Sequence, residues 1–131
     1  MARTKRVLVV DDDESARMFV MAIMEEEGWE CDEAVNGEEG VDRAEANPPD
    51  LIILDIDMPV MDGFEAFQRL RDSPFTEKVP IIMLTGVNED GKPAVSAESM
   101  ETQFGFPRPN GFVDKPVDAV FLRNCVMGVV G

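Results

Sequence analysis

At 131 residues the chain has the length of one domain, long enough for a single core, and 44% hydrophobic with 30% charged residues exclude a disordered tail. A net charge of −15 argues against nucleic-acid binding by the domain itself, and the lack of any His removes His-based acid–base chemistry and His metal ligands. No apolar run approaches membrane-spanning length, the stretch after the basic start MARTKR is too short for a signal segment, and Cys31 and Cys125 are not spaced as metal ligands. A cytoplasmic protein without membrane or nucleic-acid partners is expected.

Taken in order, RVLVV at residues 6–10 predicts a short buried strand running into Asp11, Asp12 and Asp13. Asp13 can cap a helix whose core stripe is Ala16, Phe19, Val20, Ile23 and Met24; Glu25, Glu26 and Glu27 form its solvated end, and Gly28 stops it. Residues 29–35 predict a strand with polar interruptions, placed nearer a sheet edge. Asn36 and Glu39 suggest a capping box for a second helix, which runs to about Ala46 and is stopped by Pro48 and Pro49.

The stretch DLIILDIDMPVMDG at residues 50–63 organises the rest. Its apolar run, Leu51 to Leu54, predicts a central strand buried on both faces and ending in a carboxylate, Asp55. A turn follows, and Asp62 with Glu65 starts a third helix that carries Phe64, Phe67 and Leu70 inward and ends near Ser73 and Pro74. VPIIML at residues 79–84 is the fourth strand, ending at Thr85 and Gly86. In residues 87–111 the pattern fails, with Pro93, Pro107, Pro109, Gly91, Gly105 and Gly111 breaking it; Ala97, Met100 and Phe104 allow at most a short amphipathic helix. Phe112 and Val113 form a fifth strand before Asp114, Lys115 and Pro116, and a last helix over about 118–127 is apolar on more than one face. Strand and helix thus alternate into an α/β fold, a parallel sheet with right-handed crossovers and helices on both faces.

In a parallel sheet the strand ends Asp11-Asp12, Asp55, Thr85 and Lys115 share one edge, where open α/β sheets bind ligands. Two carboxylates about 4 Å apart repel by about 4 kcal/mol at an effective dielectric of 20, so clustered acids raise one another's pKa unless cations join them. Lys115 supplies one charge, and a hard divalent ion, Mg²⁺, is expected to supply the rest. Because Mg²⁺ combines a few carboxylates with phosphate oxygens, the pocket suits phosphoryl chemistry.

VLVVDDDES, LDIDMPVMDG, IIMLTG and FVDKP together resemble the response-regulator receiver domain of two-component signalling. The resemblance implies a CheY-like, flavodoxin-like three-layer α/β/α sandwich, its five-stranded parallel sheet in the order 2-1-3-4-5, as a single domain over residues 1–131 with no output domain. It implies that Asp55 is the phosphoacceptor for a sensor histidine kinase or phosphotransfer protein. Asp12, Asp55 and the backbone carbonyl of Asp57 would ligate Mg²⁺, with Asp11 acting through a metal-bound water. Lys115 would pair with the phosphoryl group, Thr85 would swing its hydroxyl onto a phosphoryl oxygen, Gly86 would leave that group room, and Phe112 would be the aromatic switch. Lys115-Pro116 is often cis in the family. Such a protein is a switch for a downstream partner and not an enzyme, beyond its own phosphotransfer and dephosphorylation.

The departure is the segment before strand five: Lys115 stands 30 positions after Thr85, more than the family usually shows, and Pro and Gly have rebuilt the helix-four region. Residues 87–111 are therefore expected to be mobile at rest and to order on phosphorylation, with Met100, Phe104 and Phe106 as anchors beside the apolar last helix, a patch that could also support a homodimer. The rival readings are a metal-dependent phosphohydrolase of the haloacid-dehalogenase type, since residues 11–13 and 55–57 both read D-x-D, and a structural pseudo-receiver, against which the intact acids, Thr85 and Lys115 argue.

Overall fold

Aliphatic runs too short for helices give the sheet. The computed structural model describes residues 4–86 and 109–130. Strands β1 (Arg6–Val10), β2 (Glu30–Ala34), β3 (Leu51–Asp55), β4 (Ile81–Thr85) and β5 (Gly111–Asp114) form one parallel sheet in the order β2-β1-β3-β4-β5. Helices α1 (Glu14–Glu26), α2 (Gly37–Ala46), α3 (Gly63–Asp72) and α4 (Ala119–Val130) are those among the described residues. The short helix suggested by Ala97, Met100 and Phe104, and the anchors Met100, Phe104 and Phe106, lie outside the described residues.

Successive strand side chains point to opposite faces, which divides the aliphatics between two cores. Leu8, Val10, Ile52, Leu54, Ile81 and Met83 pack with Val41, Phe67 and Leu70 of α2 and α3. Val7, Val9, Leu51, Ile53, Ile82 and Leu84 pack with Val20, Ile23 and Met24 of α1 and with Leu122 and Val126 of α4. Every residue of β3 is buried, as its unbroken apolar run requires, whereas β2, with its polar interruptions, lies at the edge.

The expected caps form. Asp13 Oδ1 accepts from the Ser15 N–H, Asn36 Oδ1 from the Glu39 N–H and Asp62 Oδ1 from the Glu65 N–H. The reciprocal half of the Asn36–Glu39 box is replaced, because Glu39 turns its carboxylate to Arg43 at 3.2 Å. β4 begins at Ile81 and not at Val79: Pro80 has no N–H for the ladder, although its carbonyl accepts from the Ile52 N–H. The last helix extends through the apolar ending to Val130, leaving Val120, Phe121 and Met127 exposed.

One core assignment is corrected. Phe19 is 49% exposed, and the inward position of α1 belongs to Arg17, which is buried. Its guanidinium donates to the Asp11 backbone carbonyl at 2.9 Å and pairs with Glu33 at 2.7 Å, which compensates its desolvation. Arg17 therefore pins the turn after β1 to both α1 and β2. Arg17→Met should cost about 1–2 kcal/mol in urea unfolding, since it strands the buried Asp11 carbonyl while the half-exposed Glu33 carboxylate returns to water; an unchanged midpoint would show that the pin contributes nothing.

Candidate functional site

Four strand ends meet at the carboxyl edge of the sheet. Asp11 follows β1 directly, Asp55 and Thr85 are the last residues of β3 and β4, and Lys115 follows β5. Asp11, Asp55 and Thr85 are each at most 3% exposed, whereas Asp12 faces solvent. Carboxylate oxygens of Asp11, Asp12 and Asp55 lie within 4.8 Å of one another, so an oxygen-only donor set of a kind that suits a hard cation is assembled from two strands.

Lys115 Nζ lies 2.9 Å from Asp55 Oδ1 and 3.1 Å from Asp11 Oδ2, a forked ion pair joining the edge to β5. The other Asp11 oxygen accepts from the Asp13 N–H, which fixes the acidic turn. Burial pushes the Asp55 carboxyl up to about 6; Lys115 opposes this by hydrogen bonding and charge, and Asp11 and Asp12 add to it. Desolvation thus outweighs the acid–acid repulsion expected from the sequence. For Lys115, burial favours the neutral amine, but Asp55 and Asp11 prevail and raise its pKa.

The loop after β3 is held at both ends. Gly63 N–H donates to the Ile56 carbonyl at 2.8 Å, and Gly37 N–H donates to the Met61 carbonyl at 3.1 Å. A Cβ at Gly63 would collide with the Asp55 carbonyl, and one at Gly37 with the Met61 carbonyl, so glycine lets both helix starts press against the loop. Between them Val60 sits at φ 70°, a left-handed conformation that is unusual for a β-branched residue. Asp57 lies in this loop with its side chain exposed.

Thr85 donates its hydroxyl to Asp114 Oδ1 at 2.9 Å. Phe112, two residues before Asp114, is half-buried against the core beneath α2 and α3. The Lys115-Pro116 bond is cis. The two cysteines are half-buried free thiols, and burial pushes that of Cys31 up to about 11. Sequence reasoning missed Arg17 and Asp114. Arg17 left a signal, since it stands three residues before Val20 and seven before Met24, inside the apolar stripe; Asp114 left none beyond its place before Lys115.

The sequence profile of the response regulator receiver domain matches residues 7–126, and the chain belongs to that family. It is 34% identical to the chemotaxis protein CheY of Halobacterium salinarum, over 96% of this chain and 97% of that protein. It is 33% identical to the response regulator PleD of Caulobacter vibrioides over 89% of this chain, which spans only 24% of PleD. Among solved structures, a putative response regulator from Chloroflexus aurantiacus superposes with a TM-score of 0.83 at 28% identity, covering 98% of each chain. The receiver domain of the sensor histidine kinase PA1611 from Pseudomonas aeruginosa, solved with a magnesium ion coordinated in its active-site cleft, shares the fold at 22% identity and a TM-score of 0.78, covering 98% of this chain and 99% of that one. The chain is thus a receiver domain of two-component signalling, a family of phosphoacceptor switches and not true enzymes, and the phosphohydrolase reading is not favoured. No helix among the described residues is long and apolar enough to cross a membrane.

Proposed function

We propose that Asp55 accepts a phosphoryl group from a phosphohistidine on a sensor kinase or phosphotransfer protein, and that Asp11, Asp12, Asp55 itself and the Asp57 backbone carbonyl would provide the Mg²⁺ site the reaction needs. The observation that carries this reading is the buried Asp55 carboxylate, paired with Lys115 at 2.9 Å beside two further acids. An Asp55 oxygen attacks phosphorus, the P–N bond breaks, and the departing imidazole takes up a proton. The chain orients Asp55 through the clamped loop and through Lys115, whose ammonium can follow the charge onto the phosphoryl oxygens. Mg²⁺ at this edge would supply charge neutralisation for those oxygens.

Thr85 and Phe112 share the face that would register the event, the former by its hydroxyl and the latter by its packing. Gly86, which carries no side chain, follows Thr85 at this edge and would leave a phosphoryl group room. The domain acts in the cytoplasm, catalyses only its own phosphorylation and dephosphorylation, and passes the signal to a protein partner. The exposed Val120, Phe121 and Met127 of α4 suit that partner or a second copy.

Mg²⁺ titration tests the metal site. Asp12→Ala should weaken Mg²⁺ about tenfold or more, because Asp12 is the solvent-facing acid of the cluster; unchanged affinity would refute the metal assignment.

A further inference from the structure

A hydroxyl has one proton to donate, and at this site that proton is already committed. Thr85 and Asp114 lie opposite each other in the parallel β4–β5 register, and the Thr85 hydroxyl donates to Asp114 Oδ1 at 2.9 Å. Thr85 is 1% exposed, whereas Asp114 is exposed, so a buried hydroxyl donor is tied to a carboxyl group at the surface. The next residue, Lys115, reaches the opposite way, to Asp55 and Asp11, while its backbone N–H donates to the Thr85 carbonyl at 2.7 Å. One dipeptide therefore holds the phosphoacceptor carboxylate with one side chain and the neighbouring hydroxyl with the other. A phosphoryl group on Asp55 brings three new acceptor oxygens to the same edge, in direct competition for the Thr85 proton.

We propose that Asp114 is a positioning residue that latches the Thr85 hydroxyl in the resting state, so that breaking this bond is part of what phosphorylation must overcome. The proposal rests on the reading of Asp55 as phosphoacceptor. It makes the residue before Lys115 a setting for the balance between resting and activated states: an acceptor there favours rest, and its loss favours activation.

Beryllofluoride with Mg²⁺, a mimic of the aspartyl phosphate, is the probe, and its affinity can be read by fluorine NMR. Asp114→Ala should tighten it about fivefold, with Asp114→Asn, which keeps an uncharged acceptor, in between. Thr85→Val, which keeps the shape and removes the hydroxyl, separates the latch from simple charge. In that background Asp114→Ala should change the affinity less than about twofold. Equal tightening with and without the hydroxyl would overturn the latch and leave only repulsion by the Asp114 charge; no tightening in either background would overturn it as well. A parent chain that takes up no beryllofluoride would instead overturn the phosphoacceptor reading, and the latch with it.

Discussion

Incubated with a small acyl phosphate and Mg²⁺, the chain is expected to take up one phosphoryl group, on Asp55 and alkali-labile, and Asp55→Asn is expected to take up none. The expectation follows from the difference among three acids that share one edge. Asp12 faces water, and Asp11 is held by Lys115 on one oxygen and by the Asp13 N–H on the other. Asp55 is buried at the end of the central strand, with Lys115 placed to follow charge from it onto a transferred group. An amide at that position keeps the shape and loses the nucleophile. Intact-mass measurement checks the count and peptide mapping the position. Label persisting in Asp55→Asn would move the nucleophile to another acid, and repeated turnover of a phosphomonoester would favour the hydrolase reading.

The same substitution should stabilise the metal-free fold. Burial raises the folded-state pKa of Asp55 to about 6, above the ordinary carboxylate value. Between those two values the folded chain holds a proton that the unfolded chain has lost, so stability falls as pH rises across the window; above about pH 6 the penalty is fully present. A shift of this size corresponds to roughly 2–3 kcal/mol. Asp55→Asn removes the titration while Lys115 keeps Asp11 as a partner. Urea unfolding in chelator should therefore show the variant more stable by about 2 kcal/mol near neutral pH, with the gap closing below about pH 4. Saturating Mg²⁺ should close it from the other side by stabilising the parent. A variant less stable than the parent at neutral pH without metal would mean that the Asp55–Lys115 pair outweighs the burial of the carboxylate.

Where local chemistry decides the outcome, the sequence was legible. The run Leu51 to Leu54 admits only a strand buried on both faces, and Asp13, Asn36 and Asp62 each cap the helix that follows. The convergence of Asp11, Asp12, Asp55, Thr85 and Lys115 could be read because a parallel sheet brings strand ends to one side whatever the loops do. Two side chains could not be assigned from pattern. Arg17 takes an inward place that periodicity alone would give to an apolar residue, because its partners, the Asp11 carbonyl and Glu33, come from β1 and β2. Phe19 then turns outward. The aim of the Thr85 hydroxyl depends on the β4–β5 register, which sequence spacing across residues 87–108 does not encode.

Two glycine contacts make the loop beside Asp55 stiff. On one flank the loop from Ile56 to Met61 is braced by the starts of α2 and α3, so closely that neither Gly37 nor Gly63 leaves space for a methyl group. On the other flank the Thr85 hydroxyl is held by Asp114, and the Thr85 carbonyl accepts from the Lys115 N–H at 2.7 Å. Close-packed contacts transmit a displacement instead of absorbing it. A group added to Asp55 would therefore press on a loop that has no space to give way towards α2 and α3.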